Sequence, residues 1–201
     1  MGFLKSSLEI LSRPSKFFES RAKSGDLRNA IKAGSIYISI AAILKSIILA
    51  TSFIPGSGLQ DYQGLLLLKN LAGSGSFTVE GIITVSFFDA LVGGLLLIFL
   101  EAAILHLFTK LFTDSTGYWK TLSVVAYSAV LTPLVAIGNL ISIGSITLGI
   151  VAQLYGLYII VRGLESYHQI ELSRAALIVA FPLILAFIFG YMFTIGSMAA
   201  A

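Results

Sequence analysis

Residues 81–112 read GIITVSFFDALVGGLLLIFLEAAILHLFTKLF, and this stretch decides the fold. A bilayer core is about 30 Å thick, so a helix needs about 20 mainly apolar residues to cross it. The run is longer than that, which leaves room for tilt or for projection beyond the membrane. The rest of the chain agrees with it. Of 201 residues, 57% are apolar and only 11% are charged, against roughly 25% charged in an ordinary soluble domain. The mean hydropathy is +0.94. A soluble domain cannot bury that much apolar surface and still cover itself with polar groups. The composition therefore excludes a soluble enzyme, a disordered tail and a nucleic-acid module. Cysteine is absent, which removes disulfides, thiol chemistry and cysteine–zinc sites.

Outward from this run, four further stretches are long enough, or nearly so. The expected spans are about 33–54, 81–112, 121–137, 143–161 and 175–194. The third and fourth are separated by Gly138-Asn139-Leu140-Ile141-Ser142, a short turn signal that predicts a tight helical hairpin. The expected fold is all-α, a bundle of five transmembrane helices over 33–195 with a cytoplasmic amphipathic segment at 1–32. Residues 55–80, rich in Gly and Ser, form the external loop, interrupted by Leu65 to Leu68. No cleavable signal precedes the first span, which reads as retained.

Eleven of the thirteen basic residues fall before the first span, at the loop between spans two and three that Lys110 and Lys120 bound, or between spans four and five. With five crossings these regions share one side. The positive-inside rule makes that side cytoplasmic and leaves the C-terminus outside. The sequence pI near 9.2 is then a topology signal and not one of nucleic-acid binding.

In the N-terminal segment Phe3, Leu4, Leu8 and Leu11 have roughly helical spacing, and Pro14 should start or break a helix. One or two amphipathic helices on the cytoplasmic membrane surface are expected, with basic residues toward anionic headgroups. The candidate lipid or partner contacts are Lys5, Arg13, Lys16, Arg21 and Lys23. Met1-Gly2 with Ser6 fits a myristoylation pattern, but a multi-span chain hardly needs a lipid anchor.

Ionisable groups inside a bilayer are functional candidates by default, and the spans hold Lys45, Asp89, Glu101 and His106. Counted from the two membrane faces, Lys45 and Asp89 reach nearly the same depth. An ion pair between them is expected, with Gln153 also near mid-depth. It would either pin spans one and two together or mark a transport site. Glu101 and His106 are about 140° apart on their helix, so they do not line one face. The cytoplasmic-side polar cluster is expected to hold Glu101, His106, Lys110, Arg162 and Arg174, with Glu101 paired to Lys120, Arg162 or Arg174. No Gly-x-Ser-x-Gly, His-Glu-x-x-His or phosphate-binding Gly-Lys-Ser/Thr loop occurs. No catalytic, cofactor or metal set emerges. Pro133 and Pro182 lie within spans, where Ser128 and Thr132 can take up the backbone groups that Pro133 disturbs.

Several local patterns, in order, resemble a known family. Leu11-Ser12-Arg13-Pro14-Ser15-Lys16-Phe17-Phe18 resembles a Pro-x-x-Phe-Phe opening. Tyr127-Ser128-Ala129-Val130-Leu131-Thr132-Pro133 resembles a Tyr-Ser-x-x-Pro region with longer spacing. Tyr155-Gly156-Leu157, Gly163-Leu164 and Tyr167 to Ala175 resemble a span followed by a His-x-x-x-x-Ser-x-x-Ala loop. Together they resemble prokaryotic members of the Yip (Ypt-interacting protein) domain family over roughly residues 11–189. The resemblance implies a five-span, non-enzymatic membrane protein. Eukaryotic members bind Rab-type GTPases in vesicle trafficking, but their Asp-Leu-x-Gly-Pro signature is absent here. The expected role is a scaffold that organises membrane or recruits a cytoplasmic partner, in contact with membrane lipids. The alternative is a small transporter or channel centred on Lys45, Asp89 and Gln153. No cofactor or nucleic acid is expected, and a homo-oligomer is left open.

Overall fold

The computed structural model describes residues 3–52, 78–114, 117–138 and 145–199. It is helical throughout these segments. Two short helices open the chain, α1 (Phe3–Ser12) and α2 (Pro14–Ala22), followed by the long α3 (Leu27–Ser52) and α4 (Val79–Phe112). Then come α5 (Tyr118–Ser128), a 3-10 turn at Ala129–Leu131, α6 (Thr132–Gly138), α7 (Ser145–His168) and α8 (Leu172–Ala199). Four stretches of helix among the described residues are long and apolar enough to cross a membrane: Leu27–Thr51, Val79–Phe112, Tyr118–Ile137 and Leu172–Phe189. The expected fourth span lies on α7, which is not among these four, and on residues before it. The external loop, with its Leu65–Leu68 run, and most of the turn after Gly138 lie outside the described residues.

Proline acts as the sequence implies. Pro14 is the first residue of α2, where its missing N–H costs nothing. Pro133 cannot donate to the carbonyl four residues back, and the helix tightens into its 3-10 turn just before it. Ser128 Oγ donates to the Val125 carbonyl at 2.7 Å at that point. Pro182 lies inside a continuous α8.

Small residues set the registers. A methyl group at Gly34 would sit 3.1 Å from Ile98 Cδ1, and one at Gly94 would sit 2.8 Å from Ile38 Cγ2. Four residues along α3 thus match four along α4 in the opposite sense, so the two helices run antiparallel. On α7, a methyl at Gly163 would meet Val124 Cγ1 at 2.5 Å and one at Gly156 would meet Leu131 Cδ1 at 3.4 Å. Seven residues of α7 match seven of the α5–turn segment, again antiparallel. Close approach at small residues is how helices gain van der Waals contact where surrounding lipid offers no hydrophobic drive.

Helix α2 is inserted in the bundle, whereas α1 keeps Leu4 and Leu8 exposed. Ile10, Phe17 and Phe18 have 0% exposure. Phe17 stacks edge-on against Tyr127 at 4.9 Å, and Phe18 against Tyr167 at 6.1 Å. The rings enter the bundle because α5 and α7 meet at Val124 and Gly163, leaving a slot that Phe18 fills. The polar side of α2, with Lys16 and Glu19, stays exposed.

Candidate functional site

The site is built at the bundle end where α4 stops, α5 starts, and α7 turns into α8. The α7–α8 turn is closed by the Ile170 N–H donating to the Glu165 carbonyl at 3.3 Å, with Gln169 left-handed at φ 54° between the two helices. This is the usual way a helix ends, though glycine normally takes that place. The turn buries His168 to 6% exposure and aims it at Thr121 on α5. Thr121 Oγ1 lies 3.1 Å from His168 Nε2 and 3.4 Å from His106 Nδ1 on α4. One hydroxyl thus joins three helices. Burial, then the positive charge of Lys120 and the proximity of His106, hold the His168 imidazole down at about 4, so it is neutral near pH 7.

Beside this buried chain is a cleft of about 470 Å³, lined among others by Lys110, Phe112, Asp114, His168, Ile170 and Arg174. Lys110, Asp114 and Arg174 are exposed. The cleft lies where two apolar helices end, at Phe112 of α4 and Leu172 of α8. Phe181 of α8 packs its ring 5.5 Å from Phe108 and 5.9 Å from Phe112 of α4.

A second polar group ties down α2. Arg21 Nη1 pairs with Asp26 Oδ2 at 2.6 Å, and Tyr127 Oη donates to the same oxygen at 3.3 Å. Asn29 donates to the other Asp26 oxygen. The Arg21 guanidinium lies 5.5 Å from the Phe17 ring centre. Nearby, burial and then the Asp26 charge push the Tyr167 hydroxyl up to about 12, while Ser123 beside it pulls the other way.

Of the residues singled out from sequence, Lys110 and Arg174 meet at the cleft, and His106 reaches it through Thr121. Arg162 instead pairs with Glu165 at 2.9 Å on its own helix, over the Tyr158 ring. Glu101 is exposed and takes no part in the ion pairs of the described residues, so its expected bridge to Lys120, Arg162 or Arg174 is not formed. Nor do Lys45 and Asp89 form the expected ion pair, and both are exposed, as is Gln153. By the α3–α4 register, Lys45 stands level with Phe87, two residues from Asp89. Azimuth separates them. Asp89 is five residues from the α3-facing Gly94, about 140° around the helix. Among the basic residues of the first segment, Lys5, Arg13, Lys16 and Lys23 are exposed, whereas Arg21 is engaged internally.

A family model described as the Yip1 domain matches residues 8–194. That is nearly the whole chain, α1 through most of α8. The chain belongs to the Yip family. With its apolar helices, membership makes it a multi-pass integral membrane protein. No curated protein and no solved structure gives a significant match. His168, Thr121 and Asp114 were missed as a group by sequence reasoning. His168 stood in the family-like loop, but only the antiparallel α5–α7 packing brings it to Thr121.

Proposed function

We propose that this Yip-family chain is a non-enzymatic, five-span membrane scaffold that presents a fixed basic surface to a cytoplasmic partner. One observation carries the reading: Phe17 and Phe18 are fully buried in the bundle. Helix α2 is thereby a rigid part of the membrane domain and not a loose tether. Arg13, Lys16, Lys23, Arg28 and Lys32 stand exposed along α2 and the start of α3. Preorganised charge of this kind speeds and orients docking of an acidic surface more than it adds affinity. The pairing of Arg21 with Asp26 holds the platform without consuming the other cations.

The transporter reading is less well supported. Lys45 and Asp89 stand at nearly one level but form no ion pair, both are exposed as is Gln153, and the packed core contains Val124, Ala126, Ile159 and Leu164 at 0% exposure. Pull-down from cytosol with the full-length protein in nanodiscs tests the scaffold. Changing Lys16, Lys23 and Arg28 together to Glu should abolish capture of partners while leaving insertion and thermal stability intact. Capture that survives the triple change would sink the proposal. Ion or osmolyte flux in proteoliposomes that is lost on Asp89→Asn would put the transporter in its place.

A further inference from the structure

We infer that the cleft between the α4 end and the α7–α8 turn binds the headgroup of an aminophospholipid, a phosphodiester carrying a primary ammonium. The cleft lies at the ends of two helices that are apolar enough to cross a membrane. Trp119 and Tyr118 stand at the start of a third, and such aromatic rings favour the headgroup level. A bilayer therefore brings headgroups to this depth without any protein motion.

Lys110 and Arg174 offer two cations, Asp114 one carboxylate, and all three are outside the ion pairs of the described residues. His168 adds a neutral ring to the lining. A phosphodiester fits the cations, and arginine can hold two of its oxygens at once. Asp114 then stands where a simple anion would be repelled. A primary ammonium next to the phosphate turns that repulsion into a charge-assisted hydrogen bond. A trimethylated ammonium has no N–H to give, and a glycerol headgroup has no positive charge.

An apolar path leads away from the cleft. Leu107 and Leu111 on α4, and Leu177 and Ile184 on α8, are exposed. They flank the Phe108–Phe112–Phe181 contact, where acyl chains can lie once the headgroup is seated. The cleft is independent of the basic platform proposed for partner docking, and it draws on none of those cations.

The test is native mass spectrometry of the intact protein released from vesicles containing equal parts phosphatidylethanolamine, phosphatidylcholine and phosphatidylglycerol. The wild type should retain phosphatidylethanolamine about fivefold over either competitor, the scale of one partly exposed ion pair. Asp114→Asn should keep bound lipid but bring ethanolamine and choline lipids to parity. Lys110→Ala combined with Arg174→Ala should lose retention of all three. These positions are exposed, and matched thermal unfolding confirms that each variant is folded. Equal retention of the three lipids by wild type overturns the inference. So does a preference for phosphatidylglycerol, or an ethanolamine preference that persists in Asp114→Asn. Displacement of the lipid by millimolar inorganic phosphate overturns it too, by identifying a free-phosphate site. A Lys16→Glu control should leave lipid preference unchanged, which separates this result from the fate of the docking surface.

Discussion

His168 is an imidazole kept neutral by its surroundings, and this has a direct consequence for stability. Its ordinary value is about 6.5, and in the fold it is held down to about 4. Between these values the unfolded chain binds a proton that the folded chain refuses. Stability from this group is therefore complete above about pH 6.5 and is lost as pH falls toward 4. The full loss is on the order of 3 kcal/mol. The Thr121 hydroxyl lies 3.1 Å from the ring, the charges of Lys120 and His106 act against its protonation, and Lys110, Asp114 and Arg174 line the cleft beside it. Thermal midpoints in detergent at several pH values between 7.5 and 4.5 should fall more steeply for wild type than for His168→Asn, which keeps a polar partner for Thr121 but cannot titrate. Parallel pH curves for the two proteins would refute the assignment. The neighbouring Gln169, left-handed at φ 54°, carries a cost of about 1–2 kcal/mol, so the turn that positions His168 is itself under strain.

Helix α2 shows where sequence periodicity stops informing. Basic residues mixed with Phe17 and Phe18 read equally well as a surface helix dipping its rings into lipid or as a helix plugging a protein slot. Both bury the same apolar atoms. What decides between them is the slot made by Gly163 and Val124, residues more than a hundred positions away, and no local pattern encodes it. The α1–α2 break at Pro14 and the tightening before Pro133 were legible, because proline constrains only its own backbone. The consequence of docking is a linked loss. Phe17→Ala removes a ring held between Phe18, Tyr127 and the Arg21 guanidinium, which costs about 3–5 kcal/mol at a fully buried site. Since Arg21 and Asp26 sit at the two ends of the same turn, α2 should come loose as a unit. Limited trypsin digestion should then cut at Arg21 and Lys23 far faster in the variant than in wild type, while cleavage at Lys110 and Lys120 is unaltered. Equal acceleration at all four positions would point to general unfolding and not to release of α2.

The placement of the long helices followed from hydropathy alone, because a span is a local property of the chain. Which faces meet was not, because azimuth depends on the packing partner, as Lys45 and Asp89 show. The number of crossings sits between these cases. Helix α7 carries Gln153, Arg162 and Glu165, and it follows α5 and the turn beyond it from Val124 to Leu131. Its far end is held beside Thr121, at the end of the bundle where α4 stops. A helix that accompanies a spanning segment in the opposite sense must return the chain to the side where that segment began. The five-crossing proposal therefore predicts that the α7–α8 turn and the α2–α3 turn share one side, and that the start of α4 faces the other. The chain has no cysteine, so single substitutions Lys23→Cys, Glu80→Cys and Gln169→Cys can each be probed with a membrane-impermeant maleimide in intact cells. Glu80→Cys should label at once, whereas Lys23→Cys and Gln169→Cys should label only after permeabilisation. If α7 does not cross, Gln169→Cys will label together with Glu80→Cys, a result at odds with the packing of His168 beside Thr121 at the end of α4, and the five-crossing proposal falls.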